Sequence, residues 1–114
     1  MSKTLFEKII SREIPAQIVL ETERICAFHD IQPEAPVHVL VVPKVAFARL
    51  ALVPEAQALL LGELLLGAQQ VAKLLGIVET GYRLVINNGA DGGESVPHLH
   101  VHLLGGRKLK WPPG

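Results

Sequence analysis

The spacing of apolar residues changes period several times along the chain, and each change marks an element. TLFEKIIS, residues 4–11, carries i,i+4 apolar pairs at Leu5/Ile9 and Phe6/Ile10, with Thr4 and Glu7 at capping-box spacing, so a short helix is predicted. REIP ends it, because a residue before proline is pushed out of α geometry. QIVLET and ICAFHD read as strands joined by a tight polar turn near Glu23 and Arg24. IQPEAP is a proline-punctuated loop and VHVLVVPK a third, β-branched strand. A long helix is predicted from Pro54 to Leu75, with Pro54 near its start and Gly76 placed to stop it. YRLVIN is a fourth strand, NGADGGES a glycine-rich loop, and VPHLHVHLLGG a fifth strand. The order α-β-β-β-α-β-β predicts one α+β domain over residues 1–114, with a five-stranded, mainly antiparallel sheet.

On the long helix, Leu60, Leu61, Leu64, Leu65, Ala68, Val71, Ala72 and Leu75 form a broad arc for the core. Leu59 and Leu66 fall instead on the polar side, near Gly62. Burying a leucine is worth about 1.5–3 kcal/mol. Two stranded leucines therefore point to a second contact surface, a helix-mediated homodimer. The plainer reading is two incidentally exposed leucines.

Composition narrows the class. Eleven basic residues balance eleven acidic ones, so no global field draws the chain to nucleic acid or to an anionic membrane. With 49% hydrophobic residues in 114, a substantial core can be buried. Cys26 is the one cysteine, which excludes an internal disulfide and a cysteine-based zinc finger; inside RICAFHD it reads as a small core residue. Charges come too early for a secretory signal peptide, and ALLLGELLLGA is too short to cross a bilayer, so a soluble cytoplasmic protein is expected.

The chemistry concentrates in SVPHLHVHLLGG. Of five histidines, His98, His100 and His102 take alternate positions and would share one face of a regular strand, with Leu99, Val101 and Leu103 on the other. Three readings compete. The first is polar outward positions without a task. The second is a metal site: same-face neighbours about 6.7 Å apart do not converge on one ion, but two of them with His38 could, and Asp30 or Glu94 would serve as carboxylate partner. The third makes one imidazole a nucleophile at phosphorus while its neighbours bind and polarise an anion. Gly89, Gly92 and Gly93 permit φ > 0 and consecutive N–H groups for an anion, and Ser95 adds a hydroxyl.

HLHVHLL fits His-φ-His-φ-His-φ-φ, the signature of the histidine triad (HIT) superfamily. FEKIISREIPA, AFHDI, APVHVLVVPK, GYRLVINNGADGG, HVHLLGGR and WPPG extend the likeness over nearly the whole chain. Together they resemble the histidine triad nucleotide-binding branch, the purine nucleoside phosphoramidases. Related nucleotidyltransferases carry glutamine at the third triad position, so His102 implies a hydrolase. Pro97 departs from the pattern, where relatives often carry a larger residue.

The resemblance implies a HIT-like fold in which two five-stranded sheets join across a homodimer, and a reaction needing neither metal nor other cofactor. His100 would be the nucleophile toward the α-phosphorus of a purine nucleotide conjugate. The His98 carbonyl would hold His100 Nδ1–H, His102 would bind a phosphate oxygen, and His38 would support the triad. Ser95 would help protonate the departing amine. Gly93, Glu94, Ser95 and Asn87 would lie at the phosphate and Asp30 on the ribose hydroxyls. Phe6, Ile9, Ile10, Ile18, Phe28 and Ile31 are candidates for the purine slot, with ordinary core as the alternative for most of them. Trp111 would reach the partner's site and affect substrate choice. His29 alternates to the other face and receives no role.

Overall fold

The computed structural model describes residues 3–114. Helix α1, Leu5–Ile10, begins on the expected capping box: Thr4 Oγ1 accepts from the Glu7 N–H, and the Glu7 carboxylate accepts from the Thr4 N–H. It presents Phe6 and Ile9 inward. Strands β1 (Ile18–Glu21) and β2 (Ile25–His29) pair through a turn in which Thr22 Oγ1 accepts from the N–H groups of Arg24 and Ile25. Strand β3 is Val37–Pro43, β4 is Tyr82–Val85 and β5 is Val101–Gly105. The sheet runs β1-β2-β3-β5-β4 with every pairing antiparallel, the architecture expected.

The long helix starts later than expected. Pro54 begins a 3₁₀ turn, Glu55–Gln57, and helix α2 proper is Ala58–Leu74. Its end is a Schellman motif: Gly76, at φ 71°, donates to the Lys73 carbonyl and Ile77 to the Ala72 carbonyl, with Ile77 buried beside it.

Alternation along the strands divides the apolar residues between two cores. Ile25, Ala27, Val39, Val41, Val101 and Leu103 face α2 and pack on Leu60, Leu64, Ala68 and Val71. Cys26, Phe28, Leu40 and Val42 face the other way and meet Phe6 and Ile9 of α1. His38 and His102 lie on this second face, because β3 and β5 alternate in the same register there. Leu65, expected in the core arc, is half exposed, and Leu59 and Leu66 are 70% and 59% exposed.

Candidate active site

His102 pairs with Leu40 and His38 with Leu104, so the two histidines are diagonal neighbours on one face of the sheet. His98 and His100 precede β5 and are not part of it, contrary to the expectation of one strand through all three. Pro97 explains the late start. The His98 N–H returns to the Val96 carbonyl at 2.8 Å, a turn centred on Pro97 whose ring fixes φ near −65°. Leu99 then donates to the Phe47 carbonyl, outside the sheet. The chain thus turns His98 inward until it is 0% exposed, while His100 and His38 are buried at 5%.

Each imidazole faces a partner whose donor or acceptor role is fixed, and this sets the proton positions. His100 Nδ1 is 2.7 Å from the His98 carbonyl, which only accepts, so Nδ1 carries the hydrogen and Nε2 of the neutral ring keeps its lone pair. His38 Nδ1 accepts from the Glu34 N–H at 3.0 Å, so His38 donates through Nε2 to His102 Nδ1, 2.9 Å away. His102 is left with Nε2–H, a donor. His98 Nε2 donates to the Pro43 carbonyl at 2.9 Å, and its Nδ1 lies 3.1 Å from Thr4 Oγ1. Aromatic packing fixes the ring planes: Phe6 meets His100 edge to face at 4.9 Å between centroids, and His100 meets His102 likewise at 4.8 Å.

Burial sets the charge states. It lowers the pKa of His98 and of His38, in His38 against the opposing pull of Asp30 and Glu34. His102 is lowered to about 4, by burial first and then by the neighbouring His100 and His38 rings. Asp30 stands beside this pair with Oδ2 3.5 Å from His38 Nε2, and its Oδ1 accepts from the Gln32 N–H.

The glycine loop differs from expectation. Gly89 and Gly93 have φ of 76°, but Gly92 does not lie in the left-handed region. Gly92 is required because a Cβ there would lie 2.5 Å from the Asn88 carbonyl oxygen. The N–H groups of Gly92, Gly93 and Glu94 are spent on the carbonyls of Gly89 and Ala90, so these three do not form the expected nest of free donors. Ser95, exposed at the end of the loop, takes part in none of these bonds. Asn87 Nδ2 donates to the Gly92 carbonyl, and Asn88 Oδ1 accepts from the Ala51 N–H. Glu94, expected at the phosphate, instead grips Arg49 through two hydrogen bonds of 2.9 and 3.0 Å and accepts from the Gly89 N–H. Those contacts, Arg49 foremost, hold its carboxyl at about 2.

An apolar slot of about 70 Å³ beside the triad face is lined by Phe6, Ile9, Phe28, Asp30 and Ile31 among others. It opens into a cleft of about 460 Å³ bordered by Gln17, His29, Asp30 and Ile31. Ile31 is 82% exposed at its mouth. Ile10 and Ile18 are not in the wall; they pack on the core behind it. His29, assigned no role from its alternation, is the last residue of β2 and borders the slot. Leu5, Ile14, Pro15 and Ala16 also line it, and the sequence reading missed them. Trp111 is 79% exposed and lies over Arg83 of its own chain at 5.9 Å. The Arg83 guanidinium also donates to the Lys110 carbonyl.

The HIT domain model matches residues 11–109. The chain belongs to the HIT family. Among HIT relatives, a maize 14 kDa zinc-binding protein is 52% identical over 115 residues, covering 99% of this chain and 89% of its own length. An Arabidopsis thaliana protein named adenylylsulfatase HINT1 is 50% identical, covering 99% of this chain and 78% of its own. A crystal structure of a HIT family hydrolase from Legionella pneumophila superposes with a TM-score of 0.95 at 46% identity, covering 98% of this chain and all of that one. The likeness is thus to HIT-family hydrolases along almost the full chain.

Two consequences are measurable. Histidines whose folded pKa lies below the unfolded value contribute stability that is present above about 6.5 and lost as pH falls toward the folded value, about 4 for His102. The thermal midpoint should therefore fall between pH 7 and pH 5, and His102→Gln should flatten that dependence in a calorimetric series. Gly92→Ala should displace the Asn88–Gly92 turn and destabilise the fold by about 1–3 kcal/mol in urea titration.

Proposed function

We propose that this protein is a purine nucleoside phosphoramidase that works through a nucleotidyl-histidine. The observation that carries the reading is the 2.7 Å contact of His100 Nδ1 with the His98 carbonyl, which leaves Nε2 as a lone-pair nucleophile. His100 Nε2 attacks the α-phosphorus, the P–N bond breaks, and the amine departs with a proton that Ser95 helps deliver. Water then attacks the nucleotidyl-His100, releasing a nucleoside monophosphate and restoring the ring. The His102 Nε2–H, oriented by Glu34 and His38, stabilises charge developing on a phosphate oxygen. Asp30 binds the ribose hydroxyls through acceptor oxygens, and Phe6, Ile9, Phe28 and Ile31 receive the base.

The name of the Arabidopsis relative supports a second substrate of the same kind, adenylylsulfate, in which sulfate is the leaving group. Sulfate needs no proton to depart, whereas an amine does. Ser95→Ala should accordingly slow phosphoramidate turnover by about 10²–10⁴-fold at most and spare adenylylsulfate cleavage.

The maize relative's name prompts a test of fit for zinc. Asp30, His38 and His102 offer ligand atoms within 4.8 Å of one another. Nitrogens sharing a tetrahedral zinc with bonds of about 2.1 Å lie about 3.4 Å apart. The His38 and His102 nitrogens are at 2.9 Å, a hydrogen-bond distance, and His38 Nδ1 is already engaged. The arrangement as it stands does not fit a shared ion, and no step is assigned to one.

A homodimer is part of the proposal. Leu59, Leu65, Leu66 and Leu74 are exposed on α2, and an apolar slot lined by Leu50, Leu61, Leu65 and Ile86 opens next to them. Strand β4 ends the sheet, so its outer backbone groups are available to a second copy. Trp111 would act in the partner's site.

His100→Asn should abolish turnover of an adenosine phosphoramidate while nucleotide binding persists, and acid-quench mass spectrometry should find the nucleotide on His100 in the parent protein. Unchanged turnover in the variant, or in the parent its loss on chelator treatment, would reject the scheme. Sedimentation at micromolar concentration should give twice the chain mass, and Leu65→Glu should shift it to the monomer.

A further inference from the structure

Thr4 lies 94 residues from His98 in the chain, yet its hydroxyl is 3.1 Å from His98 Nδ1. The same oxygen accepts from the Glu7 N–H, so it occupies the N-cap of α1. His98 is wholly buried, and its Nε2 faces the Pro43 carbonyl, which can only accept. In the neutral ring the proton is therefore on Nε2 and Nδ1 is a lone pair. Thr4 must turn its own hydrogen toward it, accepting from the helix with one lone pair and donating to the triad. The other titratable groups acting on His98 are Glu7 of α1 and His100. No acceptor-only or donor-only side chain at position 4 does both jobs.

We propose that Thr4 is a positioning residue for the nucleophile, holding His98 in its neutral Nε2–H form so that the His98 carbonyl stays aimed at His100 Nδ1. The contacts form an ordered chain: helix cap to hydroxyl, hydroxyl to buried ring, and that residue's carbonyl to the ring that attacks. Phe6, two residues on, packs edge to face on both His98 and His100, so docking of α1 sets the position of the donor and the rings together. The consequence for turnover rests on the reading of His100 as nucleophile; the hydrogen-bond assignment does not.

Two substitutions separate the cap from the donor. Thr4→Asp keeps an excellent N-cap acceptor but removes the hydrogen, so His98 can meet it only by gaining a second proton. Thr4→Ser keeps both functions. Nitrogen-15 NMR of the histidine rings should find His98 as the neutral Nε2–H tautomer at pH 7 in the parent and in Thr4→Ser, and doubly protonated in Thr4→Asp. Turnover of an adenosine phosphoramidate should fall by about 10–100-fold in kcat for Thr4→Asp, with KM and the Thr4→Ser rates within about threefold of the parent. An Nδ1–H tautomer of His98 in the parent would overturn the proposal. So would an unchanged His98 ring in Thr4→Asp, or equal losses in both variants. If the parent turns over no phosphoramidate, the functional reading fails, and the ring spectra alone decide whether Thr4 sets the His98 tautomer.

Discussion

Carbonyl groups that can only accept, and an amide N–H that can only donate, fix where every proton sits in this site. The Pro43 carbonyl fixes His98, the His98 carbonyl fixes His100, and the Glu34 N–H fixes His38 and through it His102. Four imidazoles that would each sample two tautomers in water are held by main-chain groups belonging to the sheet and its adjoining loops. Burial reinforces this by disfavouring the charged forms of His38, His98 and His102, which would disrupt the pattern. The result is one lone pair, on His100 Nε2, and one N–H donor, on His102 Nε2, side by side, the pair on which the proposed mechanism draws.

The surrounding structure keeps that pattern in place. Arg49 and Glu94 tie the segment before α2 to the glycine loop, and the Asn88 side chain adds a second tie to Ala51. The loop is thus closed on itself and anchored from outside, with the N–H groups of Gly92, Gly93 and Glu94 used internally. Rigidity, more than an open cradle of N–H groups, is what the glycines provide here: two take left-handed backbone conformations and Gly92 allows a close approach that any side chain would block.

Much of this was legible beforehand. Periodicity and residue type gave the elements and their order: β5 alternates buried and half-buried positions, while β2 and β3, covered on both faces, read as short continuous apolar runs. The capping box marked the start of α1. The histidine pattern drew attention to the triad, and of the six apolar residues that the resemblance offered for a slot, Phe6, Ile9, Phe28 and Ile31 line one. What stayed hidden depended on contacts across long chain separations. The commitment of Glu94 to Arg49 spans 45 residues, and nothing local distinguishes that carboxylate from a ligand-facing one. His98 and His100 do not continue the regular strand of His102, because the turn at Pro97 sets their backbone apart from β5.

The contact between residues 4 and 98 joins a six-residue helix to the innermost ring of the triad. A helix this short has little stability of its own and is held by what it packs against. On the proposed role of Thr4, competence for chemistry is therefore tied to how firmly Phe6 and Ile9 dock this helix on the sheet. Mild warming or denaturant would silence the enzyme while the sheet and the long helix were still intact, and inactivation would precede denaturation.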